Sequence, residues 1–292
     1  MSANNFRSGK SHRDENFPVA SRLIHPRHRG TILAFYNFVR TADDIADHST
    51  LDAQNKLELL DQLEQGLLGA SEANPEAVAL RLALSQRGLS ACHAQNLLTA
   101  FRMDVTKLRY RDWDDLLDYC SYSAMPVGRF VLDVHGEDSK TWPASDALCA
   151  ALQVINHIQD CKQDYTNLDR VYIPMDAFAS AGTEVAALGE ARASPALARC
   201  LHGLARRTHT LLRASDPLPA MVEDFRLSLE ILVIQSLAYR LTRILELRDP
   251  LTERVHVSGA GAFGVASAAL ISGILRRVGR RLTAGSHRPR NA

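Results

Sequence analysis

The chain has 292 residues, 46% of them hydrophobic, and a formal net charge of +1 at pH 7. That is enough apolar material for a sizeable core, and the near-neutral balance gives no support to nucleic-acid binding. The five cysteines, Cys92, Cys120, Cys149, Cys161 and Cys200, form no CxxC pair, so neither a zinc site nor a disulfide framework is indicated and a reduced, cytoplasmic compartment fits.

Residues 1–14, MSANNFRSGKSHRD, are polar and lack the apolar stretch of a secretory signal; they read as a flexible leading segment. The apolar run TILAFYNFV (31–39) then leads directly into RTADDIADH (40–48). On a helix, Asp43 and Asp47 lie one above the other, Arg40 stands one turn earlier on that face, and Asp44 points about a quarter turn away. Stacked carboxylates repel and Asp is a poor helix-interior residue, so a structural helix gains little from them. Taken alone, an exposed acidic helix end is still the commoner explanation of such a run.

Helical periodicity continues. LELLDQLEQGLL (57–68) places Leu57, Leu59, Leu60, Leu63 and Leu67 largely on one side, and the stretches 196–213 and 225–248 repeat the pattern. Breakers fall between the periodic segments at Pro75, Gly88, Pro126, NLDR, Pro174, AGT, DPLP and RDP. No series of alternating strands is visible. The reading is one all-α domain of about ten or more helices, without a linker or internal repeat.

A second cluster lies in QVINHIQDCKQDYTNLDRVYIP (153–174). Asn156, Asp160 and Asp164 follow at four-residue steps, and Gln153 extends their face; Val154, Ile155 and Ile158 occupy other faces, so the helix is partly buried. A polar stripe on a partly buried helix needs partners. Two such stripes facing each other would offer oxygen ligands alone, which suits Mg²⁺ shared with a bound phosphate. An EF-hand is disfavoured, because the third position from Asp160 is Lys162 and the turn glycine is missing. No adjacent His-Asp pair supports an HD-type phosphohydrolase. His48 and His157 read as neighbours rather than ligands.

Near the C-terminus, GAGAFG (259–264) is formally GxGxxG, but no βαβ unit surrounds it and no acidic residue follows to hold a ribose. It is rejected as a dinucleotide site, and no NADPH is expected. Val257 to Leu275 carries no charge and is followed by RRVGRR. Its Gly, Ala and Ser content argues against a membrane span. A last helix packed on the core and a helix lying on an anionic lipid surface are the two readings that stand.

RTADDIAD, followed over a hundred residues later by NHIQDCKQD and RVYIP, resembles the squalene/phytoene synthase family. The resemblance runs from about Asn16 to about Leu282 and implies an all-α isoprenoid-synthase bundle with a central cavity, here residues 15–282, followed by a basic flexible tail at 283–292. Within the family, ENFPVASRLI (15–24), FRMDVTKLRY (101–110) and YCSYSAMPVGRFVLDVHGE (119–137) are similar to hydroxysqualene synthases of bacterial hopanoid pathways. The resemblance implies a Mg²⁺-dependent carbon–oxygen lyase that converts presqualene diphosphate and water into hydroxysqualene and diphosphate. It assigns metal and diphosphate contacts to Asp43, Asp47, Asn156, Asp160 and Asp164, substrate contacts to Tyr36, Arg40 and Gln153, and a place near the cation or leaving group to Tyr119.

Lys107, Arg109 and Arg170 are further cationic candidates for diphosphate, since Arg binds phosphate in a fork; a solvated helix end is an equal reading for Lys107, Arg109 and Arg111. Phe35, Phe38, Phe130, Val131 and Leu152 could line a dry hydrocarbon cavity, though any one of them could be plain core. Two departures from the family pattern stand out. Gln159 replaces an Arg often found before the second-motif Asp, and AMPVG replaces the small AGxVG segment, followed by Arg129, which could compensate for Gln159. The partners this resemblance would allow are an enzyme that makes presqualene diphosphate and one that processes hydroxysqualene; a cytoplasmic membrane face met peripherally through the basic C-terminal region goes with the lipid-surface reading of 257–275. Head-to-head condensation of two prenyl diphosphates is the alternative within the family. A metal-dependent phosphohydrolase and a non-catalytic prenyl-lipid binder are the alternatives outside it.

Overall fold

A computed structural model describes residues 24–253, 255 and 256. Among them run eleven α-helices: α1 (Pro26–Ala46), α2 (Ala53–Leu68), α3 (Pro75–Ser85), α4 (Cys92–Thr106), α5 (Trp113–Ser123), α6 (Met125–His135), α7 (Trp142–Leu168), α8 (Met175–Ala181), α9 (Pro195–Ser215), α10 (Leu218–Met221) and α11 (Phe225–Leu245). The strand-like pairing among the described residues is one parallel bridge between Arg109 and Val171.

Local chemistry sets many of the helix starts. Asp52, Asn74, Asp112, Ser194 and Asp224 each accept a first-turn N–H with their side chains, which satisfies donors that have no partner inside the helix. Pro75, Pro126 and Pro195 sit in first turns, where their missing N–H costs nothing. Pro126 also marks the break at Ala124, whose φ of −124° and ψ of −47° separate α5 from α6.

Two apolar cores result. One joins α1 to α4 with part of α6, around Phe38, Ile45, Leu60, Leu63, Leu80 and Leu98. The other gathers α5, α7, α8, α9 and α11 around Leu116, Ile155, Ile158, Phe178 and Leu201. α7 packs along α9 and against α6, while α1 packs on α3 and α4. Helices α1, α4 and α7 present polar side chains to a shared cavity.

The segment after α7 completes the wall of that cavity. Asp169 ends the helix at φ 50°, in the left-handed region. The chain then runs alongside residues 108–111, with Val171 N–H donating to Leu108 O at 3.0 Å and Met175 N–H to Tyr110 O at 2.9 Å. This seam directs Arg170 and Tyr172 inward; they are 6% and 8% exposed.

Among the described residues no helix is long and apolar enough to cross a membrane. GAGAFG, the uncharged run 257–275, the basic tail and the leading segment lie outside the described residues.

Candidate active site

The two oxygen-bearing stripes meet across one cavity of about 390 Å³. Tyr36, Arg40, Asp43 and Asp47 enter it from α1, and Gln153, Asn156, His157, Asp160 and Asp164 from α7. Tyr119 of α5 and Arg170 also line it.

Arg40 forks between two acids, with Nη1 on Asp43 at 2.7 Å and Nη2 on Asp44 at 2.8 Å. Asp44, off the shared face, is the more buried of the two. Arg170 donates through Nη1 to Asp47 at 2.5 Å, through Nη2 to Ala46 O at 2.9 Å and through Nε to Asp104 O at 2.9 Å. It fastens the end of α1 to α4 and is at once a wall of the cavity and a fixed positive charge.

The carboxylates crowd one another. Desolvation in the recess pushes Asp164 up to about 8, and the charges of Asp160 and Asp47 add to it. Asp43 is pushed up to about 7, first by desolvation and then by Asp47, with Arg40 opposing. Its side chain keeps 34% of its surface accessible, but that surface opens into the recess, so desolvation still dominates. Raised acids facing each other, with oxygen donors on both stripes, fit a hard divalent cation such as Mg²⁺.

Three of the cations expected to meet substrate here are paired with carboxylates outside the cavity lining. Arg129 makes a two-pronged pair with Asp146, at 2.8 and 2.5 Å, and its guanidinium lies 4.9 Å from the Trp142 ring centroid. It does not compensate for Gln159, whose side chain donates to Val255 O. Lys107 is paired with Asp115 at 2.7 Å and Arg109 with Asp169 at 2.5 Å. None of the three lines the cavity. Each found a carboxylate that only the tertiary fold brings near.

Asp104 and Tyr172 join the site without having been expected from the sequence. Asp104 is 6% exposed and lines the cavity from α4. Its Oδ2 accepts from Tyr119 Oη at 3.0 Å and its Oδ1 from Tyr172 Oη at 2.7 Å. Burial pushes Asp104 up to about 6 against the pull of Arg170 and both tyrosines. The one trace in the sequence is spacing: Leu97, Ala100, Phe101 and Asp104 share a helix face, which puts an acid on an otherwise apolar side of α4. His157 is buried beside the stripe; its ring stacks on Tyr172 at 3.7 Å, and burial lowers it to about 3, so it is neutral.

A second, apolar cavity of about 270 Å³ shares Tyr36, Val39 and Val127 with the first. Phe35, Phe130, Val131 and Leu152 line it as expected, and Phe35 stacks on Phe130 at 3.8 Å. Phe38 does not line it; it is fully buried core. A charge-rich recess thus opens beside a hydrocarbon chamber. Such a pair can hold a diphosphate head and a long apolar tail, and can keep water off most of the tail.

Residues 10–261 match the profile of the squalene/phytoene synthase family. A protein of Rhodopseudomonas palustris named hydroxysqualene synthase is 61% identical over 94% of each chain. One of the same name from Sinorhizobium fredii is 58% identical over 86% of each. Among solved structures, a squalene synthase from Alicyclobacillus acidocaldarius superposes with a TM-score of 0.68 at 27% identity, covering 93% of each chain.

Proposed function

Because the chain belongs to the squalene/phytoene synthase family, we propose that it converts presqualene diphosphate and water into hydroxysqualene and diphosphate. The near-full-length similarity to proteins named hydroxysqualene synthase carries this reading. The adjoining polar and apolar cavities supply the geometry it needs.

Asp43, Asp47, Asn156, Asp160 and Asp164 would hold Mg²⁺. When bound, the ion neutralises the charge that grows on the departing diphosphate. Arg40 and Arg170 add positive charge that the fold has already positioned, so little reorganisation accompanies ionisation. Tyr36, Val39 and Val127 stand where the recess meets the chamber and would bracket the cyclopropylcarbinyl centre. The chamber lining is mostly apolar and would keep bulk water from the rest of the hydrocarbon, so that capture by water is confined to the polar side. Gln153 and Asn156 stand on that side of α7.

Condensation of two prenyl diphosphates is the second reading; the name of the Alicyclobacillus structure favours it. Product analysis separates the two. Purified protein with Mg²⁺ should give hydroxysqualene from presqualene diphosphate and no C30 product from farnesyl diphosphate. Turnover of farnesyl diphosphate by this chain alone would contradict the first reading. The long apolar chains of substrate and product dissolve poorly in water, which favours transfer between neighbouring enzymes of the route at a membrane surface.

A further inference from the structure

Five carboxylates line the polar cavity among the described residues, and four of them stand on the two facing stripes. Asp104 belongs to neither. It receives the hydroxyl hydrogens of Tyr119 and Tyr172, one on each oxygen. A phenol whose hydrogen is committed to a carboxylate can only accept hydrogen bonds at its remaining lone pair. Tyr119 therefore cannot protonate the leaving diphosphate without breaking its bond to Asp104. Burial and the charge of Asp104 also hold the Tyr119 hydroxyl well above its ordinary range, so it is a neutral phenol and not a phenolate. The same wall carries His157, whose buried Nε2 has no hydrogen-bond partner among the described residues and is a second polar atom available to a water.

We propose that Tyr119 and Asp104 together take the proton released when water captures the cation, an inference that rests on the hydration reading. A lone pair of the water oxygen forms the C–O bond to the cationic carbon. One water O–H bond breaks, its electron pair stays on oxygen, and the proton passes to Tyr119 Oη. The Tyr119 hydroxyl proton passes to Asp104 Oδ2, leaving a neutral carboxylic acid that returns its proton to solvent as product departs. Tyr119 touches the reacting water and is the catalytic group. Asp104 acts through it, and Tyr172 steadies the second carboxylate oxygen. The pair also accounts for an acid buried apart from the metal-facing stripes, which would otherwise be an expensive way to hold two tyrosines.

The test is the share of alcohol among all C30 products from presqualene diphosphate with Mg²⁺, compared for wild type, Tyr119→Phe, Asp104→Asn and the double variant. The ratio is independent of how much enzyme is folded. Each single variant is expected to lower the alcohol-to-hydrocarbon ratio about a hundredfold or more, the size of a lost acid–base contribution. The double variant should be no worse than either single one, because the two residues act as a unit. A wild-type ratio in Tyr119→Phe or in Asp104→Asn overturns the inference. Should Asp104→Asn not fold, Tyr119→Phe, which keeps the ring packing, decides alone. Wild-type protein that makes no hydroxysqualene overturns the hydration reading itself, a distinct outcome.

Discussion

Asp164 and Asp43 sit in a recess where each negative charge raises the cost of the next. Asp164 ordinarily titrates near 3.8 but reaches about 8 here. The folded chain therefore holds a proton that the unfolded chain gives up, and stability falls as pH rises between those values. A bound cation would remove that cost. In chelator, the melting temperature of the wild type should decline from pH 5 to pH 8, and Mg²⁺ should restore it. Asp164→Asn should flatten the decline in chelator, weaken the Mg²⁺ response and lose turnover. Equal slopes for variant and wild type would contradict this electrostatic picture. At this scale much of the site was legible, because four-residue spacing on a helix fixes a shared face locally. Asp43, Asp47, Asn156, Asp160 and Asp164 could be grouped before any tertiary contact was known. The partners of Arg129, Lys107 and Arg109 could not, because ion pairing depends on which helix arrives beside them. Asp104 was obscured for the same reason: its meaning comes from Tyr119 and Tyr172, which lie 15 and 68 residues away.

Helices α6 and α7 meet closely enough to leave no room for a side chain at Gly128. A Cβ there would run into Ser145 Oγ and Cys149 Sγ, and all three residues line the apolar chamber. The AMPVG departure from the family's small segment therefore keeps the glycine that the helix crossing needs. Gly128→Ala should cost about 1–3 kcal/mol through overpacking, read as a lower midpoint in denaturant unfolding. Unchanged stability would show that α6 can shift and that the chamber wall is softer than its packing suggests. The helices themselves were readable from periodicity and from proline and glycine positions. The seam between residues 108–111 and 170–176 was not, because a single bridge between distant segments leaves no periodic trace. That seam is what turns Arg170 and Tyr172 inward.

The whole molecule places two separate cores around a polar recess that adjoins an apolar chamber. The resemblance carried by RTADDIAD, NHIQDCKQD and RVYIP anticipated this all-α architecture and the family membership. Tertiary packing decided which side chains face the cavity. In the proposed reaction, recess and chamber together would break the carbon–oxygen bond of a prenyl diphosphate and deliver water to carbon. Running the reaction on presqualene diphosphate in ¹⁸O-water, and locating the label by mass spectrometry, tests that function at the atom where it acts. The expected result is ¹⁸O in the hydroxyl of hydroxysqualene and none in the released diphosphate. Label in the released phosphate with an unlabelled alcohol would mean attack at phosphorus, the signature of a phosphohydrolase, and would contradict it.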